Sequence, residues 1–227
     1  MDDRKTTRSR GRPAQREMAR IDDAIIRSAM QRFRHDGYES TPISRIAEDA
    51  GVTKVTLYKR YESKSHILAA ALDTACSGID VELAGIRTST ADPIDALEKV
   101  LWTMLKRCLD DNHLSIYRVI LTTSPADVVV RECLSSWRHR FHGTIRDLIE
   151  TYLAQQGLSH KISATDITAV VVDLMMNGPL NHSVNADQDH LMTIAEAKRM
   201  FVTRWPIVLG LITGALFQSA DPDAGEC

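Results

Sequence analysis

The sequence predicts an all-α protein of about nine helices, with a small N-terminal helical domain followed by a larger one. Ala, Leu and Ile recur at spacings of three and four residues, which is the period of an amphipathic helix. No long run alternates with period two, as a half-buried strand would. The chain has 227 residues, of which 5% are aromatic, 44% hydrophobic and 26% charged, an ordinary globular composition.

The first predicted helix carries one apolar stripe and ends at Gly37, the residue type favoured just after a helix. Its apolar residues recur every four positions, at Ile21, Ile25, Ala29 and Phe33. The preceding residues, 1–20, are rich in arginine and are predicted to form a flexible basic arm. We therefore predict that the N-terminal domain spans residues 21–66.

Two short helices follow, one on each side of a tight turn. In STPISRIAEDAG, Thr41 takes the position of an N-cap, Pro42 the first helical position, and Gly51 the stop. In VTKVTLYKRY, Thr53 is the next predicted cap. Two short helices around a glycine-containing turn, packed on a longer preceding helix, form a helix-turn-helix, whose second helix fits the major groove of DNA.

The charge distribution points to a polyanionic partner. Residues 1–66 contain 15 Lys and Arg residues against 10 Asp and Glu residues, although the whole chain has a formal net charge of -2. A basic segment in a weakly acidic chain favours nucleic-acid binding. The alternative interpretation is a helical bundle whose short helices carry lysines that are only solvated.

Helix geometry selects a DNA-contacting face on the second short helix. If Leu57 and Tyr61 point to the core, a step of 100° per residue places other side chains on the opposite side. Lysine can reach guanine edges or phosphates, valine can touch a thymine methyl, and hydroxyls suit phosphate oxygens. The predicted contacts are Lys54, Val55, Thr56, Tyr58 and Lys59.

A fourth helix begins in ESKSHIL, where Ser63 is a predicted cap and Lys64 is positioned for a phosphate. The run GYESTPISRIAEDAGVTKVTLYKRYESKSHIL, residues 37–68, resembles the N-terminal DNA-binding domain of TetR-type transcriptional regulators nearly position for position. The resemblance lies in the Gly and aromatic after helix one, the IAEDAGVT turn, the TLYKRY recognition helix and the SK pair. Val55 departs from the small residue usual in the family, and Tyr61 from the usual Phe.

The resemblance implies DNA contacts at Thr53, Lys54, Thr56, Tyr58, Lys59 and Lys64. We add Thr41, at the start of the second helix, to the expected DNA contacts. The arginine-rich arm contains RGRP, which looks like the core of an AT-hook that lies in the minor groove of A·T pairs. Arg8, Arg10 and Arg12 are the expected minor-groove contacts, and the alternative is a solubilising tail.

The second domain is predicted over residues 67–218, followed by a disordered tail at 219–227. One amphipathic helix opens after Asp92 and carries Leu97, Leu101, Leu105 and Leu109 in a row four apart. A shorter helix closes at Pro125, and a long one ends at Gly157. The next segment, capped near Ser163, is expected to break at Gly178-Pro179, and the last to run from about Thr193 to Phe217 with Pro206 kinking or dividing it.

The family resemblance implies a homodimer formed by the C-terminal helices and a body that encloses a small-molecule site. The small residues of GLITG, residues 210–214, would let two helices approach closely, with packing inside one chain as the alternative. The candidate ligand-lining residues, each of which could equally be plain core, are Trp102, Leu105, Tyr117, Ile120, Trp137, Phe141 and Met175. Their apolar character favours a hydrophobic or amphipathic ligand.

Other functional classes find little support. No nucleophile motif, Gly-rich phosphate loop or HExxH occurs, so we expect neither catalysis nor a cofactor. His139 and His142 share a helical face, but spacing supplies no third ligand and no metal is predicted. The longest apolar run, residues 205–217, is short of the ~20 residues of a membrane span. Scattered cysteines and the absence of an apolar signal segment favour a cytoplasmic protein.

These observations predict a sequence-specific DNA-binding transcriptional regulator. We expect a repressor that binds a near-palindromic operator in double-stranded DNA as a dimer and is released by a small molecule. One alternative is an architectural protein that holds DNA mainly through its arm. Another is a helical metabolite-binding protein or enzyme with a vestigial DNA-binding head.

Overall fold

The computed structural model describes residues 11–123, 125–158, 162–185 and 192–215, and every regular element in these ranges is helical. The helices are α1 (Gly11–His35), α2 (Ile43–Asp49), α3 (Lys54–Tyr58), α4 (Lys64–Ser89), α5 (Pro93–Cys108), α6 (Asp111–Thr123), α7 (Val128–Gln156), α8 (Ala164–Val172), α9 (Gly178–Asn185) and α10 (Ile194–Thr213). A π-helical turn, Asp173–Asn177, joins α8 to α9 without a break. The all-helical prediction is therefore confirmed for the described residues.

The chain forms two compact units. The N-terminal unit contains the described residues up to Leu72 together with Val119–Arg131, and the C-terminal unit contains Asp73–Arg118 and the described residues from Glu132 onward. The sequence placed the boundary after residue 66 and did not assign any later segment to the first domain. The difference arises because tertiary packing, which periodicity does not reveal, brings the end of α6 and the start of α7 into the N-terminal unit.

The N-terminal unit is built on the apolar stripe of α1. Ile25, Ala29 and Phe33 are buried, as are Ile46 of α2 and Leu57 of α3. Two glycines with positive φ end the first two helices: Gly37 (φ 85°) follows α1, and Gly51 (φ 66°) forms the turn between α2 and α3. An L side chain is disfavoured in this conformation, so glycine fixes both turns.

The first helix begins earlier than predicted. The apolar stripe suggested a start near residue 20, whereas α1 begins at Gly11. Gln15, Arg16 and Glu17 are good helix formers with exposed side chains, and proline is tolerated in the first turn of a helix. Residues 11–20 therefore belong to the helix, and only residues 1–10, which lie outside the described residues, remain for the arm.

The C-terminal unit buries the leucine row predicted in α5. Leu97, Leu101 and Leu105 have no exposed surface, and Phe201 of α10 is equally buried. The Asp92 side chain caps α5 by accepting hydrogen bonds from the amides of Ile94 and Asp95. No helix among the described ranges is both long enough and apolar enough to span a membrane.

The predicted break at Gly178-Pro179 does not occur, because helical backbone continues through both residues into α9. The wider π-turn just before them changes the hydrogen-bond register, which accommodates the missing N–H and the ring of Pro179. The Arg204 side chain donates a 2.5 Å hydrogen bond to the Leu174 carbonyl in this turn. A Cβ at Gly178 would lie 3.3 Å from Arg204 Nη1, so the glycine leaves room for the arginine.

The last described helix also differs from the prediction. α10 begins with a capping box between Thr193 and Glu196, contains Pro206 without being divided, and is capped by Gly214 (φ 76°). It therefore ends at Thr213 rather than near Phe217, which lies outside the described residues, as does the predicted tail at 219–227. The left-handed glycine, a typical helix stop, explains the earlier end.

The glycine of the turn between α2 and α3 predicts a specific stability effect. Gly51→Ala should lower the free energy of unfolding by about 1–2 kcal/mol, because alanine is strained at positive φ. Gly85→Ala, in the exposed interior of α4 with open space around its Cβ position, should instead raise stability by about 0.5–1 kcal/mol. Urea unfolding followed by circular dichroism measures both, and a Gly51→Ala variant as stable as the wild type would contradict the role of the turn.

Candidate functional site

The recognition helix α3 has five residues and is held by contacts at both ends. The Thr53 hydroxyl accepts a 3.1 Å hydrogen bond from the Thr56 amide and so caps the helix. Leu57 is completely buried and anchors the opposite side. The orientation of α3 is therefore determined by its cap, by the burial of Leu57 and by its contacts with α2 rather than by its own length.

A shared aspartate ties the residues after α3 back to α1. Arg60 donates a 2.6 Å hydrogen bond to Asp22 Oδ1, and the Tyr61 hydroxyl donates to the same oxygen at 3.4 Å. Burial, with the nearby Asp22 charge, raises the pKa of Tyr61 to about 12, so the phenol stays protonated and remains a donor. The hydroxyl that distinguishes Tyr61 from the family's Phe thus has a partner.

The outer face of α3 carries the predicted DNA contacts. Val55 and Tyr58 expose 65% and 52% of their surface, although both are large and apolar. Lys54 and Lys59 are also exposed. The predicted face is therefore exposed, and its contacts with DNA stay a prediction. An exposed apolar group between cations suits a groove that presents thymine methyl groups.

A charged cluster fixes α2 against α1. Arg32 donates hydrogen bonds to both carboxylate oxygens of Asp49, at 2.5 and 3.2 Å, and a third to Asp36 at 3.3 Å. The hydrogen bond from Arg32 lowers the pKa of Asp49, and those from His35 and Arg32 lower the pKa of Asp36. Both carboxylates therefore remain charged at neutral pH, and the two-oxygen contact orients the helices.

Thr41 does not join the predicted DNA contacts. Only 1% of its surface is exposed, and its hydroxyl donates a 2.7 Å hydrogen bond to the Gly37 carbonyl. It is also not the cap of α2, because Pro42 holds that position and no side chain caps the helix. Thr41 closes the turn after α1, and its hydroxyl proton is engaged in that hydrogen bond.

Lys64 has partners within the protein that the sequence did not indicate. Its ammonium donates to the carbonyls of Tyr38 (2.7 Å) and Glu39 (3.0 Å) and lies 4.8 Å from the centre of the Tyr38 ring. These contacts hold the start of α4 against the turn that precedes α2. An ammonium has three donors, so at most one is left for a phosphate.

A hydrogen-bonded junction joins α4 to the α6–α7 turn inside the N-terminal unit. Ser65 donates to the Asp127 carboxylate and contacts the Tyr38 hydroxyl at 3.2 Å. Asp127 also caps α7, because it accepts a 3.1 Å hydrogen bond from the Val130 amide. Burial alone would raise the pKa of Asp127, but these hydrogen bonds outweigh it and the pKa is lowered, so the carboxylate stays charged.

The expected minor-groove residues are only partly within the described chain. Arg8 and Arg10 lie outside the described residues, and Arg12 lies in the first turn of α1 with no described side chain. In an AT-hook the Gly-Arg-Pro core runs along the minor groove, whereas here Gly11–Pro13 is helical. An AT-hook contact would therefore require the first turn of α1 to unwind.

The C-terminal unit contains a small cavity of about 30 Å³. Its walls come from α5, α6, α7, α8, the π-turn and α9, and its lining residues are Cys108, Tyr117, Trp137, Arg138, Phe141, His142, Val172, Met176, Asn177 and Leu180. Three of the predicted ligand residues, Tyr117, Trp137 and Phe141, are among them. Its volume corresponds to about one water molecule, so a larger ligand would require the walls to move.

The other four predicted ligand residues lie elsewhere. Leu105 and Met175 are completely buried in the core of the C-terminal unit, and Ile120 is completely buried in the N-terminal unit. Trp102 packs edge-on against Phe201, with ring centres 5.4 Å apart. The sequence also missed the polar lining residues Arg138, His142 and Asn177, because the selection favoured aromatic and large apolar residues.

Comparison with known proteins agrees with the geometry of the N-terminal unit. Residues 25–71 match the family model for bacterial regulatory proteins of the tetR family. The HTH-type transcriptional regulator TcmR of Streptomyces glaucescens is 27% identical over 120 residues, which cover 48% of this chain. The match spans about half, 51%, of the length of that relative.

Solved structures with the same fold extend over most of the chain. A putative TetR-family regulator from Mesorhizobium loti has a TM-score of 0.70 at 18% identity, covering 85% of this chain and 96% of its own. A putative transcriptional regulator from Saccharomonospora viridis, solved in complex with choline, has a TM-score of 0.66 at 17% identity, covering 82% of this chain and 95% of its own.

At these identities the structural likeness establishes the fold, and the family model supplies the identity of the DNA-binding head. The matched residues contain α2, the Gly51 turn and α3, with its exposed basic and apolar face. Residues 25–71 therefore form a DNA-binding domain of the tetR-family type, and the chain has the fold of the solved regulators that it resembles.

Proposed function

We propose that this regulator is a repressor that occupies an operator until a small molecule binds to its C-terminal unit. The observation that carries the proposal is the outer face of α3, where Val55 and Tyr58 are more than half exposed between the exposed Lys54 and Lys59. Sequence-specific binding is tested by measuring whether the protein binds DNA from upstream of its own gene in the presence of excess random DNA. An architectural protein would lose that DNA to the competitor, and a vestigial head would not bind it.

Response to a small molecule is supported by the helices that supply the cavity. α6 contributes Tyr117 and α7 contributes Trp137, Arg138, Phe141 and His142 to its walls. Both helices extend into the N-terminal unit, which contains the end of α6 and the start of α7. Asp127, the cap of α7, contacts Ser65 there. A ligand that favours a different position of these helices would weaken operator binding, typically about 5–150-fold. The choline complex of the Saccharomonospora viridis protein supports a ligand in this fold.

Dimerisation is supported by an unpaired apolar stripe on α10. Val202 and Ile207 expose 55% and 49% of their surface, and Pro206 and Gly210 continue the stripe at four-residue spacing. Glycine at the end of the stripe permits close approach of a second helix. We propose that two copies pair through α8 and α10, which would place two recognition helices on successive operator half-sites.

The assignment of Lys59 predicts a loss of discrimination. Lys59→Ala should reduce the preference for the operator over a variant with one altered base pair by about 1–3 kcal/mol, because the lysine contacts a base edge. Lys64→Ala should weaken binding to all sequences alike and also lower protein stability, since Lys64 holds the Tyr38 and Glu39 carbonyls. Fluorescence anisotropy with the operator duplex and with the altered duplex measures both affinities.

Lys99→Ala is the matched control for these lysine variants. Lys99 lies in α5 of the C-terminal unit, where its ammonium contacts Thr90, so its removal should leave operator affinity unchanged. Equal losses on every sequence from Lys59→Ala and Lys64→Ala would show that Lys59 contacts only phosphate.

The arm predicts a salt-dependent contribution. Deletion of residues 1–10 should lower operator affinity and reduce the slope of log K against log salt by about one for each phosphate that the arm neutralises. The helix α1 begins after the deletion, so the melting temperature should not change. The Arg8→Gln/Arg10→Gln variant, compared on operators with A·T or G·C flanks, separates charge from minor-groove preference. If the deletion changes neither the operator affinity nor the salt slope, the arm does not contact DNA and is only a solubilising tail.

The proposed dimer predicts a variant that separates the subunits. Val202→Asp should convert the dimer to a monomer in sedimentation velocity and weaken operator binding, because a buried unpaired carboxylate opposes association. Val81→Asp, at an α4 position with 75% exposure, is the matched control and should stay dimeric. A wild-type monomer, or a Val202→Asp dimer, would contradict the proposed interface.

A further inference from the structure

The cavity of the C-terminal unit has an uneven charge balance. Arg138, at its exposed rim, is the one permanent cation among the lining residues, and these include no Asp or Glu. Within the described ranges Arg138 forms no ion pair, whereas Arg140, two residues later, pairs with Asp80 at 3.4 Å. A guanidinium without a partner is a two-pronged donor that matches the planar shape of a carboxylate.

The other titratable groups of the lining contribute no negative charge at neutral pH. Burial, assisted by the Arg138 charge, lowers the pKa of His142, so its imidazole is neutral at pH 7. Burial raises the pKa of Tyr117 and raises that of Cys108 to about 12, so phenol and thiol keep their protons. The lining therefore offers one cation and several neutral hydrogen-bonding groups.

The acid whose charge acts on His142 already accepts a hydrogen bond. Asp173 tends to raise the pKa of His142, which indicates that its charge acts on the imidazole. Its carboxylate accepts a 2.6 Å hydrogen bond from the Asn177 side chain, and Asp173 is not part of the lining. A cationic ligand would thus meet Arg138 without a compensating lining carboxylate, whereas an anionic ligand would pair with it.

The apolar side of the cavity is suited to a flat ring. Trp137 and Phe141 stack in parallel, with ring centres 5.8 Å apart and planes 3° apart, and both contribute to the lining. Met176, in the π-turn, also lines the cavity. A methionine can change shape at low cost, and π-turns often occur at functional sites, so this wall is where the small cavity can enlarge.

We propose that the effector is an aromatic carboxylate, with its carboxylate bound by Arg138 and its ring placed beside Trp137 and Phe141. The inference rests on the proposed function, because it assumes that the C-terminal unit holds the effector. It goes further by assigning the sign of the ligand's charge and the residue that selects it.

A series of near-identical probes tests the charge. Benzoate, benzamide and benzamidine share one ring and differ chiefly in being anionic, neutral and cationic. Isothermal titration of the full chain without DNA should show benzoate binding about 10–100-fold more tightly than benzamide, the range expected for hydrogen bonds to a charged group. Benzamidine should bind most weakly. Benzamidine binding as tightly as benzoate, or no benzoate binding at ~10 mM, overturns the proposal.

The residue is tested with paired variants. Arg138→Gln should reduce benzoate affinity to that of benzamide, while Arg140→Gln, which removes a cation outside the cavity lining on the same helix, should keep the wild-type order. A benzoate preference that survives Arg138→Gln also overturns the proposal.

A parallel assay keeps the two proposals distinguishable. Wild-type protein is measured for operator binding and for release of that DNA by benzoate. The charge order without operator binding supports the ligand class and contradicts the repressor role. Operator binding without the charge order contradicts the ligand class and leaves the DNA-binding part of the proposed function intact.

Discussion

The structure of the DNA-binding head depends on the shortness of α3. Helices below ~12–15 residues are marginal on their own in water, and α3 has only five. Its orientation must therefore be fixed by contacts with the rest of the unit. These are the buried Leu57, the Thr53 cap and the hydrogen bond from Arg60 to Asp22. Because these contacts occupy the inner side and the two ends, the outer side remains exposed, as Val55 and Tyr58 show.

Charge in the head divides into a structural part and a part available to a partner. Arg32 and Arg60 are paired with Asp49 and Asp22, and Lys64 is held by backbone carbonyls. Lys54 and Lys59 enter none of these contacts. The net positive charge of residues 1–66 therefore overstates what the surface offers, since several cations in the sequence serve to hold helices together. A count of basic residues indicates the class of partner but does not identify the contacts.

The sequence predicted features that are local in the chain. The anchor Leu57, the exposed position of Val55, the helix start after Asp92 and the turn at Gly51 all follow from spacing and residue type within a few positions. The predictions were wrong where the structure depends on a contact or a backbone feature that local spacing does not reveal. Thr41 bonds to Gly37 instead of facing DNA, the π-turn carries the helix past Pro179, and α1 extends to Gly11 without an apolar stripe. The polar members of the cavity were missed because α7 and the π-turn, which are far apart in sequence, bring them together.

The N-terminal unit is discontinuous, and this affects how the protein can be taken apart. Val119–Arg131 belongs to the same unit as the helix-turn-helix, and Asp127 supplies the partner of Ser65. A fragment ending at Leu72 would leave Ser65 without the carboxylate to which it donates. The DNA-binding unit therefore cannot be transferred as one continuous segment. A chimera that joins it to a different regulator must also include the α6–α7 turn, or supply an equivalent carboxylate from the other protein.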